Sequence, residues 1–242
     1  MAPAENNDIG RPLYIQVRDQ LIERIRTGAW KPGQLIPNVF LLGAEFKVSQ
    51  GTARKALAAL AELNLVVRRQ GLGTFVFEHT PAHVLFRFFY IFDDKHAQII
   101  PKSKPARPVI ARANATERAK LWLGKNAKVL RISRLRSRKG KPFIAERISV
   151  PAALLPGLAE HDELPNTLYD LYQKSYGIMV MRAEERVTAV AADRPTAKAL
   201  GIAPGTPLLK IDRIAFALDD QPVEWRVSLC HLVKAHYLAR LK

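Results

Sequence analysis

Leu13, Val17, Leu21 and Ile25 recur at helical spacing, with Tyr14 and Ile22 beside them. This pattern predicts an amphipathic helix that ends at Gly28, and Pro12 suits its first turn. Lys31-Pro32-Gly33 marks a turn. Asn38 is a good N-cap for a short second helix running to Phe46, followed by a turn at Lys47-Val48. Ser49 can cap a third helix from about Gln50 to Asn64. Ala53, Ala56, Leu57, Leu60 and Leu63 form its buried stripe, which leaves Gln50, Gly51, Arg54 and Lys55 near its exposed start. Two short β-like runs follow, Leu65–Arg69 and Thr74–Phe77. They flank the glycine-containing tip Gln70-Gly71-Leu72-Gly73, and Arg68 and Arg69 lead into it.

Helix, turn, helix and basic hairpin together predict a winged helix-turn-helix. Its second helix would read base edges, and its wing would approach phosphates or a narrow minor groove. The alternative is a small helical domain with a hairpin and no DNA contact.

These residues resemble the GntR family of bacterial transcription regulators. The resemblance rests on Pro12-Leu13-Tyr14, the Lys31-Pro32-Gly33 turn, Val48 to Leu57, and Arg68 to Val76. It implies DNA contacts at Ser49, Gln50, Thr52, Arg54, Gln70, Gly71 and Gly73, to which the basic entry adds Arg68 and Arg69. Two positions depart from the family pattern. Asn38-Val39-Phe40 stands where Ser-Glu-Arg is usual, and Gln50 stands where arginine is common. Arginine suits guanine and glutamine suits adenine, so the operator is expected to differ from the family's usual half-site. Val39 and Phe40 could instead make an apolar contact that holds the second helix elsewhere.

Residues 78–84 read as a linker. After it, Leu85–Phe92 is aromatic and strand-like, and residues 101–108, with three prolines, read as an extended connection. The remainder repeats itself. An Ala-rich helix leads to Leu123-Gly124, then to strand Lys128–Arg138, a turn at Lys139-Gly140-Lys141, and strand Phe143–Val150. A second Ala-rich helix leads to Leu200-Gly201, then to strand Pro207–Leu218, a turn at Asp219-Asp220-Gln221, and strand Val223–Leu229. Arg131 to Arg134 echo Lys210 to Arg213, and Arg147 to Val150 echo Arg226 to Leu229, at one constant offset. A helix over Leu168–Tyr176 lies between the copies. The expectation is a pseudo-symmetric α+β sheet domain with helices on one side.

Strand alternation puts Leu130, Ile132, Arg134 and Arg136 on one face, and Ile144, Glu146, Ile148 and Val150 on one face of the partner strand. A three-residue hairpin centred on Gly140 sets Arg134 opposite Glu146, and Arg136 opposite Ile144. Arg134 and Glu146 can pair, which leaves Arg136 over. A buried, unpaired guanidinium costs several kcal/mol, and its fork suits a carboxylate or phosphate. The alternative is a solvated sheet edge with ion pairs worth under about 1 kcal/mol each.

This half resembles the UTRA effector domain of the HutC-type GntR branch. The matching stretches are Arg134-Leu135-Arg136, Lys141-Pro142 with Glu146, Pro151 to Leu158, Thr167-Leu168-Tyr169, Tyr176-Gly177-Ile178, Ala199 to Gly201 with Gly205 to Leu209, and Pro222-Val223-Glu224. The resemblance implies a chorismate-lyase-like fold, a homodimer, and an effector pocket on Arg134, Arg136, Glu146, Thr167, Tyr169 and Glu224. Phe88 and Phe89 are expected at its mouth. Cys230 stands where a tyrosine is common. The domains read as 1–77 winged helix-turn-helix, 78–84 linker, and 85–242 effector-binding and dimerisation.

The formal charge is +16, but residues 1–78 hold 10 Lys/Arg against 7 Asp/Glu. Most of the excess therefore lies in the second part and does not itself argue for DNA binding. With one cysteine, Cys230, there is no internal disulfide framework and no Cys-rich zinc site. His79 and His83 are separated by Pro81, and His231 and His236 share no helical face, so no metal or other cofactor is expected. No apolar run approaches the ~18 residues of a membrane span, and the polar start lacks a signal-peptide core; a cytoplasmic protein without a membrane partner is the expectation. Together these readings give a dimeric transcription regulator, a repressor by the family's habit. Its partners would be double-stranded DNA at a palindromic operator and a small anionic metabolite. A lyase-like enzyme fused to a DNA-binding head and a nucleoid-type protein without effector are the rival readings. No phosphate loop, nucleophile motif or metal spacing supports turnover.

Overall fold

The computed structural model describes residues 11–80, 88–105, 107–161 and 163–239. The chain divides into two compact units, Met1–Glu78 and His79–Lys242.

In the first unit, α1 (Leu13–Arg26) buries Val17, Leu21 and Ile25 along one stripe. Helix α2 (Val39–Glu45) is capped by Asn38, whose Oδ1 accepts from the amides of Phe40 and Leu41 at 3.1 and 3.0 Å. Helix α3 (Gln50–Glu62) is capped by Ser49 and buries Ala53, Ala56, Leu57 and Leu60. The expected stripe stops one turn early. Leu63 is 46% exposed, because the chain reverses at Asn64 (φ 57) and Leu65 takes the core position instead. Strands β1 (Val66–Arg69) and β2 (Gly73–Val76) pair antiparallel, with Arg69 opposite Gly73. The turn after α1 adds a third member to this wing: Ile36 N–H donates to Thr74 O, and Leu35 bridges to Phe75.

In the second unit, strands β3 (Ile91–Asp93) and β11 (Ala235–Tyr237) form a two-stranded ribbon. The expected strand Leu85–Phe92 is only partly present. Residues 85–87 lie outside the described residues, and Phe88 to Tyr90 are not in a strand. The proline-rich connection is also more regular than expected, since β4 (Lys102–Pro105) and β5 (Val109–Arg112) both pair with β6. The main sheet adds β6 (Lys128–Arg138), β7 (Lys141–Pro151), β8 (Val180–Ala191), β9 (Pro207–Ala217) and β10 (Pro222–Cys230). Its order is β4-β6-β7-β10-β9-β8.

The helices cover both sides of this sheet rather than one. Leu121 of α4 (Ala115–Leu121) packs with Val129, and Ala197 and Leu200 of α6 (Arg194–Leu200) pack with Leu208. On the opposite face α5 (Leu168–Tyr176) brings Leu168, Tyr169 and Tyr172 onto Leu130, Ile132, Ile148 and Val150. Both faces of the strands are apolar, and each must be covered to remove that surface from water.

Two hairpins frame the sheet centre. Arg134 stands opposite Glu146 and Arg136 opposite Ile144, as the alternation predicts. The turn itself is shorter than expected. Lys139 (φ 49) and Gly140 (φ 80) make a two-residue connection, and an irregularity between Arg136 and Ser137 restores the register. In the second hairpin Arg213 stands opposite Arg226. The constant-offset echo therefore holds in β9 and slips by one residue in β10. It matched Arg226, which is buried, with Arg147, which is exposed. A slip of one residue exchanges the faces of a strand.

His79, expected in a linker, belongs to the second unit. It is fully buried, its amide donates to Gln173 Oε1 at 2.6 Å, and its Nε2 lies 2.9 Å from Val180 O. His83, with the rest of 81–84, lies outside the described residues. No helix among the described residues is long and apolar enough to cross a membrane.

Candidate functional site

Two surfaces gather the residues singled out from the sequence, one in each unit. In the first unit the start of α3 is tightly built. Ser49 Oγ accepts from the Thr52 amide at 3.1 Å and lies 2.9 Å from Thr52 Oγ1. This cap fixes the first turn and leaves Gln50, Arg54 and Lys55 exposed. Gln50 and Arg54 are four residues apart and share a helical face.

The wing is exposed at Gln70, Gly71 and Gly73. Gly73 is required where it stands: its φ is +118, and a Cβ there would come within 2.7 Å of Leu35 Cδ1. The two wing arginines part company. Arg69 lies over the Phe75 ring, 4.6 Å from its centre, whereas Arg68 joins Arg54 along a groove of about 630 Å³ between α2, α3 and the wing. Strand alternation sends these successive side chains to opposite faces of the hairpin.

In the second unit, β6, β7, β9, β10 and the start of α5 enclose a nest of charges. Arg134 pairs with Glu146 in a tight contact, and its Nη1 donates to Asn166 O at 3.2 Å. Glu146 also accepts from Ser228 Oγ at 3.1 Å. Glu224, fully buried, holds Arg226 through two bonds of 2.9 Å and accepts from Tyr169 Oη at 3.0 Å and Tyr172 Oη at 2.9 Å. Arg213 pairs with Glu185 and donates to Phe88 O.

Arg136 is the exception. Its Nη2 donates to Asn166 O at 2.9 Å and its guanidinium lies 5.1 Å from the Phe89 ring, but its buried Nε has no hydrogen-bond acceptor among the described residues. Glu146 approaches that nitrogen only to 3.8 Å. Burial pulls the Arg136 pKa down to about 9. Glu146 opposes the fall, and the neighbouring guanidinium groups of Arg134, Arg226 and Arg213 add to it. Burial would raise the Glu146 carboxyl, but Arg134, Arg136 and Arg226 outweigh it and hold the group well below the usual carboxylate range.

A cavity of about 20 Å³ opens over this nest. It is lined by Arg134, Arg136, Arg213 and Arg226, by Phe88 and Phe89, and by Asn166 to Tyr169. That volume holds about one water molecule. Thr167, at the N-cap of α5, makes no side-chain capping bond.

Of the expected pocket residues, Arg134, Arg136, Thr167, Tyr169, Phe88 and Phe89 line the cavity. Glu146 and Glu224 do not; both are spent beneath it, neutralising arginines. Arg213, Arg226 and Asn166 were missed. Arg213 was within reach of the sequence, since it is the repeat partner of Arg134. Arg226 was hidden by the slipped register in β10. Cys230 is buried with Phe89, Ile144 and Ile211, behind the cavity lining and not part of it, and burial raises its thiol pKa.

The family model for bacterial regulatory proteins of the gntR family matches residues 13–76, and the UTRA domain model matches residues 101–235. The chain is a GntR-family transcription regulator with a UTRA domain.

The histidine utilization repressor of Pseudomonas putida is 30% identical over 203 residues, which is 84% of this chain and 81% of that one. A fructoselysine utilization operon repressor of Escherichia coli is 29% identical over 220 residues, 90% of each chain. Among solved structures, the ligand-binding domain of a GntR-family regulator from Bordetella bronchiseptica has a TM-score of 0.58 at 29% identity. It covers 64% of this chain and 98% of that one. PhnF from Mycobacterium smegmatis shares the fold, with a TM-score of 0.52 at 24% identity over 89% and 94% of the two chains. The Pseudomonas putida and Escherichia coli relatives are named as repressors, which places the chain with DNA-binding transcription regulators rather than with enzymes.

Proposed function

We propose that the GntR-family regulator is a dimeric repressor whose hold on a palindromic operator is set by a small anionic metabolite bound over Arg136. The observation that carries this reading is the buried Arg136 Nε, without an acceptor among the described residues, at the wall of a cavity lined by three further guanidinium groups. A carboxylate or phosphate would supply the missing acceptor. Thr167 and the amides at the start of α5 offer further donors to the same anion. Two relatives are named for the utilization of small metabolites, histidine and fructoselysine, which fits a metabolite as the signal.

Residues 1–77 carry the DNA-reading surface, with Ser49, Gln50, Thr52, Arg54, Arg68, Gln70, Gly71 and Gly73 at the duplex. Arg69 supports the wing through Phe75. Residues 85–242 carry the effector site and the dimer contact, and the regulator works in the cytoplasm, where its operator lies. A dimer presents two α3 helices to two half-sites. The effector acts by its differential affinity for the operator-bound and free arrangements.

The test uses the full chain. A thermal-shift screen of small carboxylates and phosphate esters should yield a stabilising anion. That anion should release a labelled operator from the wild type and leave it bound to Arg136→Ala. No stabilising anion, or release from the variant at the same concentration, would sink the reading.

A further inference from the structure

In the second unit two buried donors without an acceptor stand opposite one another. Where β4 pairs with β6, Ser103 is the partner of Arg136. Partners in an antiparallel pair share a face of the sheet, with Cβ atoms about 4.5–5.5 Å apart. Arg136 Nε and Ser103 Oγ are both buried, and neither has a hydrogen-bond partner among the described residues. Nε is the guanidinium nitrogen closest to the backbone, on the stretch of the arginine that a side chain as short as serine can lie beside. A single buried donor left unmade can be an accident of packing. Two on facing residues call for one acceptor between them, because each unmade bond is costly.

Asn166 ties this corner together. Its Nδ2 donates to Pro101 O at 2.9 Å, two residues before Ser103, and its own O accepts from Arg134 and Arg136. Strand β6 lies between β4 and the strands β9 and β10, which carry Arg213 and Arg226. Arg136 is part of the present cavity wall and Ser103 is not. An anion that reaches Arg136 Nε therefore meets the Ser103 hydroxyl next.

The charges around the cavity set the valence of that anion. Arg134, Arg136, Arg213 and Arg226 are answered by Glu146, Glu185 and Glu224, which leaves an excess of one positive charge. A singly charged group makes the nest neutral. A doubly charged phosphate leaves it as far from neutral as before, with the opposite sign. Uncompensated charge of either sign is costly once it is buried.

We propose that Ser103 is a further effector-binding residue, and that Ser103 and Arg136 together take a carboxylate in preference to a phosphate. The proposal rests on the reading of the cavity as an effector site and narrows the anion to one class. One carboxylate oxygen accepts from Arg136 Nε and from the Ser103 hydroxyl, and Thr167 is left for the other.

The experiment titrates the full chain with acetate and with inorganic phosphate at one ionic strength. At about pH 8 phosphate is mostly doubly charged. Read from the shift in unfolding midpoint, acetate should bind the wild type about tenfold more tightly than phosphate. Ser103→Ala should bind acetate about ten- to hundredfold more weakly, the worth of a hydrogen bond to a charged group. Its midpoint without anion should not fall, because the hydroxyl it lacks made no bond. Ser137→Ala makes the same change at a serine outside the cavity lining and should bind acetate as the wild type does.

Phosphate binding as tightly as acetate overturns the proposal. So does a Ser103→Ala chain that binds acetate like the wild type, or one whose midpoint without anion falls, which would make Ser103 a structural residue. An equal loss in Ser137→Ala also overturns it. If neither anion moves the wild-type midpoint, or if Arg136→Ala binds both as the wild type does, the effector reading itself falls, and this proposal with it.

Discussion

Arg68 and Arg136 carry the same charge under opposite conditions. Arg68, with Arg54, lies along an open groove in the first unit, where water screens it and no carboxylate among the described residues pairs with it. Arg136 lies 2% exposed in the second unit, in a nest of four guanidinium groups and three carboxylates. An exposed unpaired arginine costs the fold little and is available to a polyanion. A buried one costs the fold until a ligand supplies the missing charge. Changes in the groove should therefore appear in DNA affinity and its salt dependence. Changes in the nest should appear in stability first. The contrast also shows why the charge total misleads: the strongly basic unit keeps part of its excess under the surface, where DNA cannot reach it.

The largest effect should come from breaking a satisfied pair. Glu224→Ala strands Arg226, which Glu224 alone bonds twice, and frees two tyrosine hydroxyls. We expect a loss of about 3–5 kcal/mol in urea unfolding of the full chain. A loss under about 1 kcal/mol would show that water reaches the nest.

An intermediate case tests the same contrast. Glu117 is 2% exposed and accepts from Arg131, Ser149 and the Asn114 amide, while the Arg131 side chain is 42% exposed. The Arg131 bond is the main cause that lowers the Glu117 pKa to about 2; burial opposes it, and the Asn114 amide and Ser149 hydroxyl add to the fall. The folded-state pKa is depressed, so its stabilisation is present above the ordinary carboxylate pKa and is lost as pH falls from about 4.5 through 2. Allowing for water on Arg131, the contribution is about 1–2 kcal/mol at neutral pH. Glu117→Gln should unfold more easily at pH 7 and lose less further stability than the wild type between pH 4.5 and 2. Equal pH slopes in urea titrations would reject this.

How much of this was legible beforehand depended on the range of the interaction. The caps at Asn38 and Ser49, the helix over Leu168–Tyr176 and the Arg134–Glu146 pairing follow from local spacing, and all are present. The cover on both sheet faces is written in β6 and β7, whose buried apolar residues stand on both sides of the strand. The nest could be read only halfway. Arg134 and Arg136 come from one hairpin, while Arg213, Arg226 and Asn166 arrive through strand order and a one-residue slip that periodicity does not report. Glu146 and Glu224 have the right residue type for a ligand site, but their partners decide their role. Those partners lie across the sheet, or on a helix that packs over it.

The groove provides the next test. Arg54→Ala should weaken operator binding by about 1–3 kcal/mol if Arg54 reads a base edge, with the unfolding midpoint unchanged. A phosphate contact would instead weaken all duplexes alike and lower the salt slope. If the unfolding midpoint falls with the affinity, the two regions are not separable as argued.

The smallest effect has the opposite sign and is the most diagnostic. Arg136→Met keeps a long apolar side chain against Phe89 and removes the charge that no acceptor fully answers. Below pH 9 the wild type carries that charge buried, at a cost. The folded-state pKa is depressed, so the unfolded chain holds more protons between about pH 9 and the ordinary arginine value, and wild-type stability recovers through that window. Arg136→Met should therefore be more stable than the wild type by about 1 kcal/mol at pH 7, and its advantage should shrink above pH 9. The gain is limited because Arg136 also helps to hold Glu146 ionised. Urea unfolding at pH 7 and pH 10 measures both terms. A variant less stable than the wild type at pH 7 would show that Glu146 needs Arg136 as a structural partner, and the spare guanidinium would no longer point to a ligand.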